Sequence, residues 1–150
     1  MALAFSAAML AAAYIAQFGF SLHPCDLCLK QRYPYMAVIA VAGCAWWLAK
    51  TPARERFALL LCALLFALDA GIAGYHTGVE YGWFPGPDAC SSAATIGMTI
   101  EEMRKQLLDA PLVSCSQAMA YIFGLSMAAW NALLATLAAF ATLYLWRKTR

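Results

Sequence analysis

The chain has 150 residues, of which 64% are hydrophobic and 12% charged, and its formal net charge is +2. A soluble globular domain carries about 25% charged residues, so a water-facing protein is excluded and the membrane class is expected. The small net charge, with no basic run interleaved with aromatics, also argues against a nucleic-acid partner.

The first apolar run, Met1 to Leu22, contains no charged side chain. About 20 such residues cross a bilayer core as a helix. A secretory signal peptide would need a basic start and a shorter apolar stretch, so a first span over 1–22 is expected. Three further runs predict spans over 34–49, 57–76 and 118–146, and Asp69 interrupts the run over 57–76. The expected fold is therefore all-α, a bundle of four transmembrane helices in one integral membrane domain over 1–150, with outward loops 23–33 and 77–117.

Four spans place both termini on one side. Lys50, Arg54 and Arg56 in the short middle link join Arg147, Lys148 and Arg150 of the tail there. By the positive-inside rule that side is cytoplasmic. Aromatic belts are expected at both edges: Trp46, Trp47, Tyr144 and Trp146 on one, Tyr33, Tyr35, Tyr75, Tyr81, Trp83 and Phe84 on the other. Small residues recur every four positions at Ala4, Ala8, Ala12 and Ala16, and again at Ala120, Gly124, Ala128, Ala132 and Thr136. Such stripes let helix backbones approach closely in lipid.

In the second outward loop, Trp83-Phe84-Pro85-Gly86-Pro87-Asp88 is turn material. Thr99-Ile100-Glu101-Glu102 reads as a capping box, and Ile100, Met103 and Leu107 share a helical face ended by Pro111. A short amphipathic interfacial helix is expected there.

Cysteine usage points to chemistry. Cys44 and Cys62 lie inside apolar runs and read as packing residues. Cys25, Cys28, Cys90 and Cys115 all fall in the outward loops, the compartment where disulfides persist. In Cys25-Asp26-Leu27-Cys28 the two sulfurs can close a bridge across one turn, and a helix start favours a thiolate. Arg32, four positions after Cys28, supplies a permanent cation for a thiolate or a reduced, anionic cofactor. A lone CxxC is also half a zinc site. Cys90 and Cys115 could be a structural staple, part of a four-cysteine zinc site, or a second exchangeable disulfide on a mobile carrier.

Pro24-Cys25-Asp26-Leu27-Cys28-Leu29-Lys30-Gln31-Arg32 resembles the first-loop motif of the DsbB disulfide bond formation proteins. Tyr75-His76-Thr77, the later cysteine pair, and Phe123-Gly124-Leu125-Ser126-Met127 with Trp130 resemble that family too. The Trp83-Phe84-Pro85-Gly86-Pro87 segment is a departure that implies a variant branch. The resemblance implies a bacterial inner-membrane thiol:quinone oxidoreductase, multi-pass, with both termini cytoplasmic and its catalytic loops periplasmic. Its partner would be a soluble periplasmic thioredoxin-fold oxidase of the DsbA type. It implies redox-active disulfides Cys25–Cys28 and Cys90–Cys115, with Cys90 meeting the partner and Cys115 resolving toward Cys25. Cys28 would face a bound quinone (ubiquinone or menaquinone) held by Arg32, and no metal is expected.

Asp69 and His76 are seven apart and share a face of the third span. An intramembrane acid is a functional candidate and histidine titrates near neutrality. His76 is thus expected to border the quinone site and Asp69 to support a proton path or orient a neighbour, unless Asp69 simply bonds Asn131 or Ser126. Competing classes are a vitamin K epoxide reductase-like enzyme, whose loop pair precedes its CxxC, a conduit moving reducing power outward, and a non-enzymatic scaffold with structural disulfides.

Overall fold

The computed structural model describes residues 1–48, 51–87, 99–101 and 115–149. Their architecture is helical. α1 (Ala2–Tyr14) runs into a π-helical turn (Ile15–Gly19). α2 (Asp26–Lys30) is short and is followed by α3 (Arg32–Leu48), α4 (Pro52–Glu80) and α5 (Met127–Lys148). Three helices, Ala2–Gly19, Pro52–Glu80 and Met127–Lys148, are long and apolar enough to cross a membrane. α3, at 17 residues, is shorter.

Helix boundaries follow local chemistry and shift the expected spans. α4 starts five residues before Phe57, because Thr51 is extended and Pro52 fits the first helical position, where no N–H is needed. The basic link around Arg54 and Arg56 is therefore mostly helix. α4 also continues past His76 to Glu80. Gly82, at φ +72°, then turns the chain, and the Trp83 and Phe84 N–H groups donate to the Gly78 carbonyl. This folds Phe84 onto α4, where it stacks on Tyr75.

α5 begins at Met127, not near Ala118. The preceding residues form a two-residue hairpin, β1 (Tyr121–Ile122) against antiparallel β2 (Leu125–Ser126). Phe123 and Gly124, at φ 51° and 81°, make its left-handed tip. Ser126 caps α5 by accepting from the Ala129 N–H at 3.1 Å. Ala120 and Gly124 thus leave the expected small-residue stripe; in its helical part Ala128 is buried and Ala132 and Thr136 are half-buried. On α1, Ala4, Ala8 and Ala12 are exposed and the buried face holds Ser6 and Leu10 instead.

The core joins Leu10, Tyr35, Val38, Cys62 and Phe66, with Phe5 packed edge-on to Phe66. Cys62 is a packing residue as expected, whereas Cys44 points away from the bundle. Tyr35, expected in an aromatic belt, is buried because its hydroxyl donates to Asn131 Oδ1 at 2.6 Å. α4 packs most extensively on α5. The Arg56 guanidinium lies over the Trp146 ring, so the start of α4 and the basic end of α5 share one end of the bundle. The end of α4, with His76, forms the opposite end. Ile100 and Glu101 are helical directly after Thr99. The rest of the expected interfacial helix, and Cys90, lie outside the described residues.

Candidate functional site at the cysteine end of the bundle

Pro34 shapes the site first. A proline lacks the N–H that would bond residue 30 and crowds that carbonyl, and the helix breaks at Gln31 between α2 and α3. Cys25 and Cys28 therefore sit on α2, while Arg32 opens α3. Cys25 caps α2, its sulfur accepting from the Cys28 N–H at 3.3 Å. The two sulfurs share a hydrogen bond at 2.9 Å, and both are free thiols. Closing them to a disulfide needs an approach of less than about 1 Å.

His76, on the last turns of α4, is 2% exposed. Its Nε2 lies 3.5 Å from the Cys25 sulfur and 3.7 Å from Glu80 Oε1. The Cys28 thiol bond, then the His76 and Cys28 N–H bonds, hold the Cys25 thiol down to about 4 against the opposing effect of burial. Cys28 is pushed up from its ordinary range by that same shared bond and by burial. In the dithiol form, then, the thiolate belongs to Cys25 and Cys28 keeps the proton. Bridging Cys25 to another cysteine would free Cys28 from that bond. Cys115 is disulfide-bonded and fully buried, and it packs in one cluster with Cys25, Leu27, Val79 and Cys28.

Arg32 is clamped by the end of α1. Its Nη1 donates to Gln17 Oε1 at 2.7 Å, and its guanidinium lies 4.8 Å over the Tyr14 ring. Gln17 belongs to the π-helical turn, a local rewinding common at functional sites. Among the described residues the buried Arg32 Nε has no hydrogen-bond partner. A cavity of about 450 Å³ lies alongside, lined by Cys25, Cys28, Arg32, His76 and Glu80 and by apolar side chains including Leu10, Phe123 and Met127.

A family model described as "Disulfide bond formation protein DsbB" matches residues 1–145. The chain belongs to the DsbB family. Curated relatives include the disulfide bond formation protein B of Herminiimonas arsenicoxydans, 27% identical over 81% of this chain and 76% of that protein. Disulfide bond formation protein B 2 of Pseudomonas syringae pv. syringae is 29% identical over 92% and 80%. The uncharacterized protein RP370 of Rickettsia prowazekii is 30% identical over 83% and 72%. No solved structure matches. The DsbB family and the three membrane-compatible helices make this a multi-pass membrane protein of disulfide bond formation.

Of the residues singled out in the sequence, Cys25, Cys28, Cys115, Arg32 and His76 converge at this end. Asp69 does not touch the cysteines; its Oδ2 accepts from Asn131 Nδ2 at 3.2 Å. Cys90 is outside the described residues. Gln17, Tyr14, Gln31 and Glu80 went unrecognised as site residues. Gln17 carried a signal, since it is a lone amide in an apolar run and polar groups within spans are functional candidates.

Proposed function

We propose that this DsbB-family protein is a dithiol:quinone oxidoreductase that reoxidises a soluble periplasmic thioredoxin-fold oxidase of the DsbA type. The observation that carries the reading is the cavity, whose mainly apolar lining brings Cys28 and Arg32 together with His76 and Glu80. That combination fits a flat, apolar ring bearing anionic oxygens on reduction. Arg32 would hold the head group, with ubiquinone and menaquinone both compatible. A bound quinone supplies the acceptor for two electrons and two protons.

The thiol chemistry balances within the chain. A partner thiolate attacks Cys90 and releases Cys115 as a thiolate. Cys115 attacks Cys25, breaking Cys25–Cys28 and leaving charge on Cys28. The second partner thiol closes the partner's disulfide and releases Cys90. The partner's two electrons then rest on Cys90 and Cys28; Cys90 attacks Cys115 and releases Cys25, reclosing the loop disulfide and leaving both electrons on the Cys25–Cys28 dithiol. The shared packing of Cys115 and Cys25 supports the middle exchange. Four spans, a bacterial inner-membrane location and cytoplasmic termini belong to the same reading; the clustering of Arg54, Arg56, Arg147 and Lys148 away from the cysteines supports them.

A metal-binding reading has one observation in its favour. The donor atoms of Cys25, Cys28 and His76 lie within 4.8 Å of one another. Tetrahedral zinc, with Zn–S near 2.3 Å, keeps two sulfurs about 3.8 Å apart, well beyond the 2.9 Å here. Membranes carrying the protein should reoxidise the reduced partner when quinone is supplied, and Cys28→Ser membranes should not. Turnover surviving Cys28→Ser would refute the oxidase reading, and stoichiometric zinc in the purified protein would favour the other.

A further inference from the structure

Five polar side chains from three helices and the α2–α3 junction form one connected network behind the cysteines. Tyr35 donates its hydroxyl proton to Asn131 Oδ1. Asn131 Nδ2 reaches both Asp69 Oδ2, at 3.2 Å, and Gln31 Oε1, at 2.9 Å. Gln31 Nε2 lies 2.9 Å from His76 Nδ1, and His76 Nε2 faces the Cys25 sulfur.

The direction of every bond follows from one end. An ionised carboxylate only accepts, so Asp69 must meet the NH2 side of Asn131. The second N–H of that NH2 then fixes the oxygen of Gln31, which turns the Gln31 NH2 toward His76. Nδ1 must accept, which leaves the ring proton on Nε2. The far side agrees independently, since Nε2 faces two acceptors, the Cys25 sulfur and Glu80 Oε1.

We propose that Asp69 is a positioning residue: through Asn131 and Gln31 it sets the Nε2–H tautomer of His76, so that the ring donates to the Cys25 thiolate. The chain orients and does not conduct. Two of its links are amides, which have no proton to relay without leaving their stable form. This gives buried Asp69, far from the cysteines in sequence, a part in the chemistry. The inference rests on the oxidase reading for its purpose but not for its test.

The test is the 15N spectrum of the two histidines in the reduced, full-length protein, with neither partner nor quinone present. The exposed His23 serves as the internal reference for the second signal. His76 should show the Nε2–H tautomer in the wild type. In Asp69→Asn either amide orientation becomes allowed, so the Nδ1–H form should rise to roughly half. An Asn131→Leu protein, which cuts the chain between Asp69 and Gln31, should show the same mixture. A wild-type His76 protonated on Nδ1, or an unchanged tautomer in Asp69→Asn, overturns the proposal. Because the wild-type spectrum alone can do so, a variant that fails to fold does not shield it. Failure here would leave quinone-dependent turnover standing, and loss of turnover would leave the tautomer standing.

Discussion

Asn131 Nδ2 donates to Gln31 Oε1 at 2.9 Å across 100 positions of sequence. That bond ties α5 to the junction between α2 and α3 and so sets where the cysteine pair sits on the bundle. Asn131 also meets Tyr35 and Asp69. Asn131→Leu should therefore destabilise strongly, because it strands three buried polar groups at about 1–3 kcal/mol each. Tyr35→Phe removes one bond and should cost about 1 kcal/mol. Thermal unfolding in detergent should rank the two in that order.

The dithiol form should contain one thiolate, on Cys25, with a titration midpoint near pH 4. Ultraviolet thiolate absorbance should accordingly stay level from pH 5 to 8 and show a single equivalent. His76→Ala should move the midpoint upward, since the ring is among the groups that lower it. The sign for stability follows from linkage. A depressed thiol stabilises the folded state fully above its unfolded value, near 8.5. That contribution fades as pH falls and is gone below about 4.

Arg32→Lys keeps the charge but loses the planar contact with Tyr14 and the guanidinium Nε donor. A charge-assisted hydrogen bond is worth about 1.5–3 kcal/mol, equivalent to roughly a 10–150-fold change. The KM for quinone should rise by that order while kcat at saturating quinone changes less. Steady-state assays over a quinone series separate the two parameters.

Gly78→Ala should loosen the turn after α4. A Cβ at Gly78 would collide with the Phe84 ring, so the fold-back of Trp83 to Pro85 must shift. Overpacking of this kind costs about 1–3 kcal/mol. A double variant, Gly78→Ala with Phe84→Ala, should recover part of the loss that the Phe84 ring imposes, and detergent melting curves would show it.

Phe123 occupies the left-handed tip of the hairpin at φ 51° and is 94% exposed. Such a conformation costs an aromatic residue about 1 kcal/mol or more. Phe123→Asn should raise stability. The ring also lines the cavity, so the same change should weaken quinone-dependent turnover; stability rising with turnover unchanged would assign the ring no part in the site.

Much of this end of the molecule could be read from spacing alone. CxxC, Arg32 four positions on, and a histidine two turns beyond an intramembrane acid are local patterns. Asn131 was also foreseeable as a partner of Asp69, because a buried acid demands a donor. The amide between them was not: Gln31 gains meaning only when α5 and α4 meet it from 100 and 45 positions away. Gln17 and Tyr14 depend on a π turn that no apolar period announces. The start of α5 was misread because Ala120 and Gly124 continue a helical stripe, whereas Ser126 as a cap and glycine at a hairpin tip are the stronger local signals. Tyr35 looked like a belt aromatic, and its hydroxyl found a buried carbonyl instead.

The central claim is that electrons from a partner's thiols leave through Cys28 to quinone. The most direct measurement is an anaerobic single turnover of the purified protein with reduced thioredoxin-fold partner and ubiquinone, counting thiols lost and quinol formed together. The account predicts one quinol for each partner disulfide formed, and none with Cys28→Ser. Partner disulfide accumulating while the quinone stays oxidised would contradict it.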